Sequence, residues 1–374
     1  MPSNKALDFL AEDIFDQRTH AGLDWLVRSI EVTADGGSAA YYSRIFKPLK
    51  GWQLAYPETT GYIIVTLLDY HTIYPKRGLK KYALSCADWI CTLQMKNGAL
   101  PGGVGITDTP SIFNTGQMLF GLLAAYEETQ KEIYFTTLKR ATNWLVNSLE
   151  VDGSWQLGAY IPGWVPSYYT RVVWAVLWAN QHLKDAVIEE KMRTALNFYQ
   201  QRIQKNLVVK DWAFESGKKA FTHTIAYTIR GFLESAVLLK DKNLQDQAFQ
   251  LGEKIMRLRE LRGRMAGAYG AGWEGDFSFT CVTGNAQLSI ILSRMYQLSG
   301  DLRYLNTSLK IFEDVVYKQV VSRNKNTNGA VPGSTPFHGK YLYFRYPNWA
   351  AKFYLDAYRL LQKEITLVVE RKTA

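Results

Sequence analysis

The sequence predicts an all-α chain closed into an (α/α)6 toroid, one domain in which six inner helices form a barrel wall and six outer helices surround it. Three observations carry that expectation. An apolar segment with a polar start recurs six times, an amphipathic segment recurs between its copies, and the early copies keep a nearly constant spacing. The first segment reads E-T-T-G-Y-I-I-V-T-L-L at 58–68, F-N-T-G-Q-M-L-F-G-L-L at 113–123 and Y-Y-T-R-V-V-W-A-V-L-W at 168–178. It returns as T-H-T-I-A-Y-T-I-R-G-F at 222–232, C-V-T-G-N-A-Q-L-S-I-I at 281–291 and Y-P-N-W-A-A-K-F-Y-L-D at 346–356. A threonine sits at 60, 115, 170, 224 and 283, with Asn348 in the sixth copy, so the first three steps are 55, 55 and 54 residues.

The second segment is clearest as G-L-D-W-L-V (22–27), C-A-D-W-I-C (86–91), A-T-N-W-L-V (141–146) and A-L-N-F-Y-Q (195–200), with weaker copies at 244–256 and 304–316. It carries an apolar stripe at i, i+3, i+4 with charges opposite, as an outer helix with one wet face requires. The first segment is apolar nearly all round, as a helix buried on every side requires. The hairpins span about 20–70, 80–126, 133–180, 187–237, 243–298 and 302–361. A linear stack of them, an open right-handed solenoid, is the alternative; it would leave two apolar ends to be capped, and closure into a ring removes both.

Composition bounds the function. Hydrophobic residues make up 47% of the 374, enough for a large core and too many for a disordered chain. The 11 Trp and 23 Tyr suit both a core and a sugar-stacking cleft. A net charge of +10 points to an anionic partner, and the absence of any Lys/Arg-dense run with interleaved aromatics argues against nucleic acid. Three cysteines (Cys86, Cys91, Cys281) make no disulfide framework and fit a reducing compartment. The acidic start M-P-S-N-K-A-L-D-F-L-A-E-D is not a secretory leader, and no apolar run approaches the ~20 residues of a membrane span. A cytoplasmic protein without an integral membrane segment is therefore expected. Cys86 and Cys91 lack metal-ligand spacing, and there is no H-E-x-x-H, phosphate loop or dinucleotide fingerprint, so no metal and no cofactor is expected.

In a toroid the inner helices run the same way, so their N-terminal ends gather at one mouth, with unpaired N–H groups that favour an anion. Gly-rich loops enter these helices at 97–105, 152–158, 268–276 and 328–334. The mouth would present Tyr56, Glu58 and Tyr62 from the first copy, Asn114 and Gln117 from the second, and Tyr168, Tyr169 and Arg171 from the third. The fourth would give His223, Tyr227 and Arg230, the fifth Asn285 and Gln287, the sixth Asn348 and Lys352. His223, Tyr227 and Arg230 are spaced i, i+4, i+7 and share one helix face. Histidine is a base near neutral pH, tyrosine relays a proton and arginine clamps a carboxylate. Helix capping explains Asn114 and Asn285 equally well, and a first-turn acid explains Glu58. Glu274 and Asp276, on the loop G-W-E-G-D-F, could pair with Glu58 as glycoside hydrolysis requires. Trp155, Trp164, Trp273 and Trp349 are candidate sugar platforms, each equally a core residue.

V-D-G-S-W-Q at 151–156 resembles the repeat of squalene and terpene cyclases, themselves α/α toroids, though no Asp-rich acid run accompanies it. Y-P-E-T-T-G-Y-I-I, F-N-T-G-Q, T-H-T-I-A-Y-T-I-R-G, T-G-N-A-Q and Y-P-N-W-A-A-K-F are similar to motifs of six-hairpin proteins encoded in bacterial exopolysaccharide-biosynthesis clusters, over about residues 20–360. More broadly, toroidal polysaccharide lyases use Asn, His, Arg and Tyr at their clefts, similar in kind to Asn114, His223, Arg171 and Tyr227. With the net positive charge and the converging helix N-termini, the expectation is an enzyme acting on an acidic, uronate-containing oligo- or polysaccharide by proton abstraction, a lyase or C5-epimerase. His223 or Tyr227 would exchange the proton, and Arg171, Asn114 and Asn285 would hold the carboxylate. The alternatives are a glycoside hydrolase with paired carboxylates and a non-catalytic glycan-binding subunit.

Overall fold

A computed structural model describes residues 8–45, 50–159 and 161–373. Helices α2 (Pro57–His71), α4 (Ile112–Thr129), α6 (Thr170–Leu183), α8 (Thr222–Leu239), α10 (Val282–Ser299) and α12 (Asn348–Thr373) form the inner ring. Helices α1 (Glu12–Glu31), α3 (Leu79–Thr92), α5 (Glu132–Asn147), α7 (Ala186–Gln200), α9 (Lys242–Arg262) and α11 (Leu302–Val316) form the outer one. Each inner helix packs on the next, and α12 packs back on α2 and α1, so the array is a closed (α/α)6 toroid and not an open solenoid.

The closure is fastened at several points. Strand β1 (Tyr41–Ser43) pairs antiparallel with β2 (Gly51–Trp52) on one side and, on the other, with a late strand at Arg345–Pro347, with Tyr42 opposite Tyr346. The Asn348 amide donates to Ser38 Oγ and to Thr59 Oγ1, both at 2.9 Å. Tyr70 donates to the Leu355 carbonyl at 2.9 Å, and Thr66 to Asp356 at 2.7 Å. Further short pairings, among them Ala220–Phe221 with Ala268–Tyr269 and Thr280–Cys281 with Ser334–Thr335, run directly into the starts of α8 and α10 and stiffen the same mouth.

The repeated Thr-Gly has a structural origin. Thr60 Oγ1 accepts the Ser38 N–H (2.9 Å) and donates to the Tyr56 carbonyl (2.8 Å). Thr115 Oγ1 accepts the Leu100 N–H (3.1 Å). The threonine thus ties the start of an inner helix to the loop crossing over it and satisfies buried backbone groups. The glycine that follows lets neighbouring inner helices approach closely: a Cβ on Gly61 would lie 2.6 Å from Met118 Cα of α4, and one on Gly284 would lie 2.7 Å from the His223 nitrogen of α8. Between the rings, Trp25, Trp89 and Trp144 of the second segment are buried. Trp155 of the cyclase-like V-D-G-S-W-Q is also buried, its indole donating to the Leu145 carbonyl at 2.8 Å, so that motif is a packed turn here. Cys86 and Cys281 are buried thiols, and all three cysteines are unpaired. Among the described residues no helix is long and apolar enough to cross a membrane, and no group of three His, Cys, Asp or Glu comes together.

Candidate active site

The polar starts of the inner helices converge on a cavity of about 180 Å3 at the barrel mouth. Glu58 and Tyr62 reach it from α2, Phe113 and Asn114 from α4, His223 and Tyr227 from α8, and Trp349 from α12. Tyr168 comes from the turn before α6, Tyr56 from the residue before α2, and Phe214 and Tyr341 from loops. The walls are thus largely aromatic, and among the described residues Glu58 is the one carboxylate lining them, with no lysine or arginine beside it.

Glu58 lies in the first turn of α2, where the helix dipole favours its ionised form. Burial outweighs that: the carboxyl is 8% exposed and its pKa is pushed up from 4.5 to about 7, with the Tyr56 hydroxyl and the charge of Arg171 pulling the other way. Tyr56 donates to Oε2. The Asn114 amide, oriented so that every group is satisfied, donates to the same Oε2 at 3.1 Å and to Ser111 Oγ at 3.3 Å, while its oxygen accepts the Gly103 N–H at 3.1 Å. Two donors therefore hold one oxygen and leave Oε1 for the cavity. The cap of α4 is Ser111, whose side chain accepts the Asn114 N–H at 3.3 Å, so the Asn114 side chain is spared for Glu58.

His223 has the opposite electrostatics. Burial, and secondarily Arg171, drive its pKa down from 6.5 to about 3, so it is neutral at physiological pH. The Gln287 amide nitrogen lies 2.7 Å from Nδ1 and also donates to the Thr283 carbonyl at 3.4 Å. That arrangement makes Nδ1 the acceptor and puts the imidazole proton on Nε2, the edge left toward the cavity. His223, expected as a base, therefore presents a hydrogen-bond donor, and Glu58 is the lining group whose pKa falls near neutral pH. The Tyr62 and Tyr227 hydroxyls interact, and burial raises the pKa of both, so both are neutral phenols.

Other expected residues stand elsewhere. Arg171 is buried below the cavity floor, its Nε donating to Gln117 Oε1 at 2.6 Å and its guanidinium carbon 4.8–5.9 Å from the rings of Tyr227, Trp174, Phe120, Phe353 and Tyr62. Arg230 and Lys352 project further toward the opposite end of the barrel: Arg230 pairs with Glu234 at 3.5 Å, and Lys352 pairs with Asp356. Asn285 is buried in α10 away from the cavity lining, with no partner for its amide among the described residues. Asn348 is engaged in ring closure. Trp273 is packed against Trp212 and Tyr269, its indole bonded to the Asn206 carbonyl at 2.8 Å. Glu274 lines a separate cleft, its carboxylate accepting the Gly272 N–H at 2.8 Å, and Asp276 lines another, so the pairing of either with Glu58 is not realised. Phe113, Phe214 and Tyr341 are lining residues that the sequence does not single out: Phe113 is an aromatic inside the repeat with no polar group to mark it, and the other two lie in loops outside the repeat.

No family model and no curated protein sequence matches the chain. Solved structures do. An unsaturated glucuronyl hydrolase specific for heparin superposes with a TM-score of 0.73 at 16% identity, over 95% of this chain and 99% of that one. The unsaturated glucuronyl hydrolase of Bacillus sp. GL1 gives 0.73 at 14%, over 94% and 98%. The cellobiose 2-epimerase of Bacillus thermoamylovorans B4167 gives 0.73 at 11%, over 93% and 98%. What is shared is the fold. Both kinds of neighbour are (α/α)6 toroids matched over nearly their whole length.

Proposed function

We propose that this protein is a carbohydrate-active enzyme that moves a proton to or from a sugar held in the mouth cavity, with Glu58 as the acid–base group. One observation carries the reading: a single buried carboxyl, with a pKa of about 7 and one oxygen free, faces a cavity walled by aromatic rings. Aromatic walls suit the apolar faces of a pyranose. Tyr56 and Asn114 fix the carboxyl, and the Nε2–H of His223 and the Tyr227 hydroxyl are neutral donors for the charge that develops on a sugar oxygen. One proton carrier flanked by neutral donors fits epimerisation beside a sugar carbonyl: Glu58 takes the proton from the carbon, the electron pair goes to the carbonyl oxygen, and the same carboxyl returns the proton after the enediolate has turned its other face; β-elimination would need an activating uronate carboxylate in the cavity as well. Hydrolysis by paired carboxylates would need a second acid in this cavity. The solved neighbours, named as glucuronyl hydrolases and sugar epimerases, support a saccharide substrate. The net charge of +10 supports an acidic one, such as a bacterial exopolysaccharide or its precursor.

The test is incubation in D2O with cellobiose, unsaturated glucuronyl disaccharides and glucuronan- and alginate-type oligomers, followed by NMR. Deuterium entering a sugar carbon is expected and should vanish in Glu58→Gln; a new C=C bond would show instead that a uronate enters this cavity. Reducing-end release without deuterium uptake would replace the reading by hydrolysis. Saccharide binding without any turnover would replace it by a binding function.

A further inference from the structure

Beside the mouth cavity lies a second cleft of about 370 Å3, floored by Phe214, Phe221 and Phe279 and rimmed by Lys218, Lys219 and Lys340. We propose that it is the subsite for an anionic sugar unit, a uronate, whose neighbour in the same saccharide occupies the cavity at Glu58. This inference rests on the reading of the cavity as a sugar site.

The two spaces share a wall. Phe214 lines both, is 37% exposed, and lies 6.1 Å from the His223 ring on one side and 6.1 Å from Phe221 on the other. Phe221 in turn packs 5.2 Å from Tyr341, which lines the central cavity. A chain of two or three sugars crossing the exposed edge of Phe214 would touch both spaces.

Charge separates their roles. The central cavity holds a carboxyl and no lining cation, with Arg171 below its floor. A sugar carboxylate there, about 4 Å from ionised Glu58, would be repelled by about 4 kcal/mol at an effective dielectric of 20. In the cleft, Lys340 and Asp276 pair at 2.5 Å and neutralise each other. Lys219 donates to the Glu274 carbonyl at 3.1 Å and its charge is shared in part with the Glu274 carboxylate in the adjoining cleft, while the Lys218 ammonium has no partner among the described residues. Against these two ammonium groups the lining carries one remaining acid, Glu215. Aromatic floor and ammonium rim are the two elements a uronate needs, one for its ring face and one for its carboxylate.

The experiment compares two trisaccharides of the same linkage, one neutral and one carrying a glucuronate at an end, by isothermal titration calorimetry on the wild type and on Lys218→Glu/Lys219→Glu. The wild type should prefer the acidic ligand at low salt, and the preference should shrink at about 0.3 M salt, where the Debye length is only a few ångströms. The double variant should lose about tenfold or more of the acidic-to-neutral affinity ratio, about 1.4 kcal/mol. Both lysines lie on an exposed turn, and a thermal melt confirms that the variant is folded. A variant that keeps the wild-type ratio, or a wild type that prefers the neutral ligand, overturns the cleft assignment while leaving the cavity reading intact. A wild type that binds and turns over neither trisaccharide overturns both.

Discussion

Glu58→Gln should stabilise the protein, and by an amount that grows with pH. The carboxyl titrates at about 7 in the folded chain and near 4.5 when exposed. A group whose folded pKa is raised binds its proton more tightly in the native state, so stability falls as pH rises from 4.5 to about 7 and stays low above. The interval is 2.5 units; at 1.36 kcal/mol per unit, the ionised side chain costs about 3 kcal/mol above pH 7. Glutamine has the same shape and presents a carbonyl oxygen to Tyr56 and Asn114, so neither donor is orphaned. His223 acts in the opposite sense. Its folded pKa is lowered from 6.5 to about 3, so its contribution is fully present above 6.5 and is lost as pH falls toward 3. Between about pH 4.5 and 6.5 the two slopes cancel in the wild type, and Glu58→Gln uncovers the histidine's. Urea denaturation of both proteins from about pH 4.5 to about pH 8 measures the difference, in which other titrating groups drop out. The expected difference is near zero at the acid end and about 3 kcal/mol in favour of the variant at the alkaline end. A difference that does not change with pH, or one that grows toward acid, would mean that Glu58 is solvated and that its pKa is ordinary. The proton-transfer role would go with it.

Three further outcomes follow from the same contacts. Tyr56→Phe removes a hydrogen bond that favours the carboxylate, so the Glu58 midpoint, followed by 13C NMR of its carboxyl, should move above 7; a downward shift refutes the contact. Gln287→Glu replaces the donor to His223 Nδ1 by an acceptor, so the imidazole proton should move to Nδ1 and its pKa should rise from about 3; unchanged 15N shifts and titration would refute the assigned tautomer. Gly284→Ala would place a Cβ 2.1 Å from Thr222 Oγ1 and 2.7 Å from the His223 nitrogen, so overpacking should cost about 1–3 kcal/mol in urea unfolding; a loss well under ~0.5 kcal/mol would show that α8 and α10 have room to part.

The ring was legible because its signal is redundant: six copies of two segments, a threonine at one offset in five copies with a glycine after it in three, and an aromatic in the clearest outer copies. Each copy has the same job in the packing, so the pattern survives the loss of any one. The convergence of Glu58, Tyr62, Asn114, His223 and Tyr227 was legible for the same reason, since all five lie within the first two turns of parallel helices. Depth was harder to read. His223, Tyr227 and Arg230 share a face, but at 1.5 Å per residue Arg230 lies about 10 Å further along the helix, where Glu234 pairs with it. Lys352 descends similarly to Asp356. Loops carry no period at all, so the wall residues Phe214 and Tyr341 left no signal, and nothing in G-W-E-G-D-F showed that its carboxylates turn to other clefts.

That difference in depth bears on the chemistry. Arg171 under the floor acts on both groups above it through space: it favours the carboxylate of Glu58 and disfavours a proton on His223. Were it to line the cavity, a bound carboxylate would neutralise it, and Glu58 and His223 would titrate differently with and without substrate. Caged by five rings, it is out of the ligand's reach and its influence stays fixed. On the function proposed here, the cavity offers a sugar one group that changes protonation near neutral pH, beside neutral donors that do not, and recognition of acidic groups falls to the lysines outside. An active site organised in this way is suited to relocating a proton on a neutral part of a charged saccharide, and Arg171→Met tests that separation: without the fixed charge, both pKa values should rise, while the preference for an acidic ligand, set by the outer cleft, should persist.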